Sequence, residues 1–156
     1  MDLLPFFAWC ESTGLGLVVR ESVWLFPAIE AVHLLGLSLL GGAVLLVDLR
    51  LLNAGLTGTP TAVVARQARP WLIAAIVVMI ATGVPLFLSE AVKCYYSPSF
   101  WVKMTTLPIA LVFTFAVRQR VAESGTVTRG PAALTGAVSM ALWLVVAAAG
   151  RWIGFS

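Results

Sequence analysis

Four stretches of this chain are apolar almost without interruption. They run from about Val23 to Val47, from Pro70 or Trp71 to about Ser89, from Phe100 to Val117, and from about residue 132, after Gly130-Pro131, to Gly150. The first alone measures roughly 37 Å at ~1.5 Å per helical residue, enough to cross a ~30 Å hydrocarbon core with some tilt. Runs this long without a polar face are not soluble helices around a core. In lipid, every backbone group has to be satisfied within the segment, so each run is expected to be a helix. Pro70 suits the first helical position of the second span, and Ser99 reads as the cap of the third. The pattern predicts an all-α fold: a polytopic four-helix membrane bundle forming one domain over residues 1–156.

The segments between the spans are short. Residues Leu3 to Trp9 and Leu15 to Val19, interrupted by Gly14 and Gly16, are too broken to span and read as an outer-surface amphipathic segment. Thr59 to Gln67 reads as a separate surface helix, with Thr59 capping it and Pro60 at its first position. Met1 to Phe7 lacks a basic region and a small-x-small cleavage site. Trp9 stands where a lipoprotein box needs a small residue before Cys10. The mature chain is therefore expected to begin at or near Met1.

Composition agrees with the pattern. The chain has 156 residues, 60% hydrophobic and 11% charged, and a soluble domain carries about twice that charged share. The net charge of +3 is spread out and gives no reason to expect nucleic acid. Its value is topological. Arg50, Arg66 and Arg69 fall in one loop and Arg118, Arg120 and Arg129 in another. On the opposite side Arg20, Lys93 and Arg151 are diluted by Asp2, Glu11, Glu21 and Glu90. The positive-inside rule then places both termini on the periplasmic side of a bacterial inner membrane. Trp24, Trp101 and Trp152 would sit at the outer interface and Trp71 at the inner one. Cys10 and Cys94, the two cysteines, both fall outside, where a disulfide is permitted; two unrelated free thiols fit as well.

Candidate chemistry is concentrated at one place. His33, the single histidine, lies about ten residues into the first span, about 15 Å deep by helical rise. Glu30 is one turn before it on the same face. Lys103 enters one turn into the third span, and Arg151 ends the fourth. Ionisable groups in a span are costly, tend to pair, and mark function, so a Glu30–Lys103 ion pair is expected. Pro85 and Pro108 each free a carbonyl one turn back, at Ala81 and Met104. Small residues Gly36, Ser38, Gly41 and Gly42, and Ala133, Ala137 and Ala141, allow close helix approach, within the chain or between copies. His33 could ligate haem iron, with Met79, Met104, Met140 or a second copy's imidazole opposite, and propionates reaching Lys103, Arg151 or Arg20. It could hold copper with methionines, carry a proton with Glu30, or be a structural group bonded to Glu30 or a freed carbonyl. Glu30-x-x-His33 is not a di-iron site, because spans two to four supply no buried acid. There is no Cys-x-x-Cys-His, phosphate loop or serine nucleophile box.

The stretch from Trp24 to Gly36 with its Glu30-x-x-His33, the run Leu46-Val47-Asp48-Leu49-Arg50, the run Thr82-Gly83-Val84-Pro85, and Phe100-Trp101-Val102-Lys103 together resemble a family of small bacterial four-helix membrane proteins of unassigned function. More distantly the chain is similar to the membrane protoporphyrinogen oxidases and to copper-resistance-type membrane proteins. These too place a histidine in an early helix and a lysine after an aromatic at the start of a later one. The oxidases bind haem b, so the resemblance implies a haem role for His33 and Lys103. The chain lacks the further histidines of bis-histidine membrane cytochromes. The resulting expectation is a redox protein that binds haem b through His33, with Glu30, Lys103, Arg151 and Met104 around it, and passes electrons to a quinone or partner protein. The alternatives are a non-catalytic subunit of a larger respiratory or photosynthetic complex, or a copper-handling membrane protein, in either case as an oligomer or with partners in the bilayer.

Overall fold

The computed structural model describes residues 3–124 and 127–155. Asp2, which the charge count above uses, lies outside the described residues, as do residues 125 and 126 of the second arginine-rich loop. Two short helices, α1 (Leu4–Glu11) and α2 (Gly14–Glu21), precede the first long helix, α3 (Leu25–Leu51). Then come α4 (Thr61–Ser89), the short α5 (Ala91–Tyr96) and α6 (Pro98–Phe113). A π-turn (Thr114–Arg118) carries α6 into α7 (Gln119–Ser124), and α8 (Arg129–Ile153) closes the chain. Four helical stretches are long and apolar enough to cross a membrane: Leu25–Leu51, Thr61–Ser89, Pro98–Ser124 and Arg129–Ile153. This is a multi-pass, all-α membrane bundle.

Several boundaries differ from the expectation. The surface helix and the second span are one continuous helix, with Pro70 inside it and no side-chain cap from Thr59. Pro70 removes one backbone donor. The helix continues because Val64, Ala65, Ala68 and Leu72 form one buried stripe across the proline. The third helix starts at Pro98, with Ser97 and not Ser99 at its cap position. Of the N-terminal segment, α2 is amphipathic, whereas α1 is apolar on all sides: it buries Phe7 and Cys10 and exposes Phe6 and Trp9.

The packing order of the long helices is α4, α3, α8, α6. Extensive backbone contact between α4 and the third span is made only through α7, at the arginine-rich end. The central core joins Leu40, Ala43, Val44, Leu72, Ala75, Ala110, Trp143 and Val146. Small residues set the helix separations. A Cβ on Gly36 would lie 2.9 Å from Val78 Cγ1, and one on Gly136 would lie 3.0 Å from the Asp48 carbonyl oxygen. Lipid tails are as apolar as leucine, so this close fit, rather than exclusion of water, holds the helices together. At the other end, α1, α2 and α5 form a cap. Phe7 sits among Phe87, Tyr95, Phe100 and Trp101 with ring centroids 5.3–5.9 Å apart. Gly16 of α2 lies so close to α4 that a Cβ there would be 2.5 Å from the Leu88 carbonyl oxygen.

Candidate functional site: a membrane imidazole held by a threonine

His33 projects from α3 toward α4, half-buried. Its Nδ1 lies 2.7 Å from Thr82 Oγ1. The Thr82 hydroxyl donates its single proton to the Val78 carbonyl, 2.6 Å away. It therefore accepts from the imidazole, which fixes the proton of neutral His33 on Nδ1 and leaves the Nε2 lone pair free. This is the arrangement that orients metal-binding imidazoles, whose other ring nitrogen donates to a fixed acceptor. Thr82 donates back to the carbonyl four residues earlier, a bond that the hydroxyl makes readily in an apolar helix. Gly83 makes room for the ring: a Cβ there would lie 3.3 Å from His33 Cε1. Met79, one turn earlier on α4, places its sulfur 3.3 Å from the Cβ position of Gly36, itself one turn from His33.

Lys103 is the second element. Its stem crosses α8 at Gly150, where a Cβ would be 3.5 Å from Nζ. Its ammonium is close enough to His33 and to Cys94 for the charges to interact. Among the described residues no carboxylate pairs with it. The expected Glu30–Lys103 ion pair is absent: Glu30 is exposed on α3, and the ion pairs that form are Arg20–Glu11, Lys93–Glu90 and Arg118–Asp48. Arg151 is also exposed, its guanidinium 4.5 Å over the Phe155 ring. Met104 is 46% exposed. Of the expected set, the structure gathers His33 and Lys103, adds Thr82, Gly83 and Met79, and leaves Glu30, Arg151 and Met104 outside. No group of three or more His, Cys, Asp or Glu able to hold a metal occurs among the described residues. Surface hollows lie elsewhere, one beside Leu3, Tyr95, Tyr96 and Trp101 and one beside Leu46, Leu56, Gln67 and Trp71.

A second polar cluster lies toward the arginine-rich end. Arg118, expected in a loop, is 1% exposed and donates from Nε to Asp48 Oδ1 at 2.5 Å; Asp48 is 0% exposed. One terminal nitrogen of Arg118 donates to the Val44 carbonyl at 2.8 Å. Thr114 and Arg118, the first and last residues of the π-turn, are both buried, and Thr114 Oγ1 accepts from Trp143 Nε1 at 2.9 Å. Ser139 of α8 stands beside the carboxylate. About fifteen residues of α3, some 22 Å by helical rise, separate Asp48 from His33. The apolar central core fills that interval, so the two clusters do not form a continuous polar path.

Fold and site together define a polytopic helical membrane protein with one imidazole positioned inside its bundle. The chain belongs to a family of unknown function, DUF6644, whose model matches residues 6–156. No curated protein and no solved structure matches the chain.

Proposed function

We propose that this protein is a haem b-binding redox protein of the bacterial inner membrane, in which His33 Nε2 would hold the haem iron, passing electrons to a quinone or a partner protein. One observation carries the reading: the single imidazole has its Nδ1 proton committed to Thr82, so that Nε2 is a ready donor, and Lys103, which pairs with no carboxylate among the described residues, is within electrostatic reach of it. The donor chemistry suits the group. An imidazole binds iron, and a half-buried ammonium without a carboxylate of its own suits a propionate. Haem b would supply one-electron chemistry. The chain would supply a fixed imidazole, a cation, and an apolar surround. Met79, whose sulfur lies against Gly36 one turn from His33, is the candidate for a second ligand. With both termini periplasmic, Lys103 lies toward the outer surface, a sidedness that the arginine distribution supports.

The test is the visible spectrum of detergent-purified protein, oxidised and dithionite-reduced, for wild type and His33→Ala. A Soret band present in wild type and lost in the variant is expected. Wild type that stays colourless after hemin addition would sink the reading, and copper analysis of the same sample would then decide the copper alternative.

Glu30 favours a second reading, a subunit of a larger membrane assembly. An exposed carboxylate about 9 Å along α3 from Trp24 faces lipid unless another chain covers it. In that case His33→Ala lowers assembly without removing a cofactor, and purification of the protein always alone counts against it.

A further inference from the structure

The two cysteines lie 84 positions apart in the sequence, and the fold brings both into the same small cluster. Cys10 on α1 is 4% exposed and Cys94 on α5 is 6% exposed; they share that cluster with Phe7, Ala91 and Phe100. Both are free thiols in the structure. Two contacts fix the register of the helices that carry them. Glu11 Oε2 accepts from the Val92 backbone N–H at 2.7 Å, capping the start of α5. Phe7 meets Tyr95 with ring centroids 5.3 Å apart. The helices therefore run antiparallel, with Glu11 opposite Val92 and Phe7 opposite Tyr95. Cys10 is one residue from the first contact and Cys94 one from the second. By interpolation the two are offset by only about 2 Å along the helices, at ~1.5 Å per residue. Phe7 and Cys10, like Ala91 and Cys94, are three residues apart and share the facing surfaces. Ala91 of α5 is fully buried in that cluster, and its small side chain leaves room for the short Cα separation that a disulfide requires.

We propose that Cys10 and Cys94 are a disulfide pair that fastens the α1–α2 cap to α5, the element next to Lys103. The reaction is thiol–disulfide exchange with an oxidised dithiol carrier. One cysteine thiolate attacks the carrier's disulfide, and the second cysteine displaces the carrier from the mixed disulfide. The new S–S bond forms as the carrier's breaks, and two protons pass from the two cysteines to the carrier's two sulfurs. Burial pushes the Cys94 thiol up to about 11, with the nearby Glu90 carboxylate adding to the effect. A closed, reduced cap therefore holds little thiolate, and exchange proceeds through openings of the cap, during folding and after it. The bond's presence in cells rests on the sidedness proposed above, which puts the cap in an oxidising compartment; it does not depend on haem.

The test counts free thiols in the full chain. Membranes are quenched in acid, denatured, and labelled with maleimide-polyethylene glycol, with and without prior reduction, for wild type, Cys10→Ser and Cys94→Ser. Wild type that takes no label before reduction and two labels after it, with a linked Cys10–Cys94 peptide by mass spectrometry, is the expected result. Each single variant takes one label in both conditions. Wild type that starts with two free thiols but closes the same intramolecular link in oxidised glutathione supports the pair and places the cap on the reducing side, so that the sidedness fails and the pairing stands. Free thiols that oxidised glutathione leaves unlinked, or a link found only between two chains, overturn the proposal.

Discussion

The chemistry of the imidazole depends on one hydroxyl proton. Thr82 has a single proton to give and gives it to Val78, so its oxygen can only accept from His33. Thr82→Val keeps the shape and removes the acceptor. The Nδ1 proton then lacks a partner, and the donor nitrogen loses its fixed orientation. Loss of such an outer partner typically costs about 10–100-fold in affinity at metal-binding imidazoles. Hemin titration of Thr82→Val is expected to show a weakening of that order, with Thr82→Ser near wild type. Equal affinity in all three would remove Thr82 from the site. His33 was legible in the sequence because a lone histidine deep in an apolar run is rare and costly. Thr82 was not: threonines are ordinary in membrane helices, and this one is 49 positions from its partner. Glu30 misled for the complementary reason. Helical spacing places it on the side of α3 near His33, but a small rotation around that helix separates a half-buried position from an exposed one.

At the level of elements, the four spans were legible because bilayer thickness dictates their length, and the joins between elements were not. Pro70 obeys the rule for a first helical position, yet α4 runs through it because tertiary packing extends across it. The π-turn has no reading in the sequence, since it consists of one extra residue accommodated late in a helix. The cap docks through an equally local device. Gly16 is the point at which α2 meets the α4 backbone, and the group in its way is a carbonyl that cannot rotate aside. Gly16→Ala therefore forces α2 off α4, at about 1–3 kcal/mol for an overpacked contact. Gly14→Ala, with no atom within 4 Å of its Cβ position, serves as the control. Limited proteolysis between α2 and α3 should accelerate in Gly16→Ala and stay unchanged in Gly14→Ala. Equal protection in both would mean that α2 is not held by this contact.

Across the whole molecule, the helices form an open series closed at its two ends by different means. The cap closes one end with aromatic packing and the Glu11 contacts to Val92 and Arg20. The other end is closed by Asp48 and Arg118, which tie α3 to the third span where the hydrocarbon meets water. The sequence supplied both residues but assigned them to loops, because a charge at the end of an apolar run normally marks the water interface. Removing Arg118 from the positive-inside tally, since Asp48 neutralises it, still leaves Arg50, Arg66, Arg69, Arg120 and Arg129 at that end. Burying a charge pair costs solvation that the pair's attraction only partly returns. Loss of one partner strands the other, whereas loss of both strands neither. Asp48→Leu or Arg118→Met alone should each destabilise the bundle by about 3–5 kcal/mol, and the double variant should return to within about 1–2 kcal/mol of wild type. Denaturation in mixed micelles, followed by helical circular dichroism, measures all three. If the two losses simply add, the pair is not a coupled clamp and the arginine-rich end is held by Val47, Leu51, Val64, Ala65 and Ala122 packing alone.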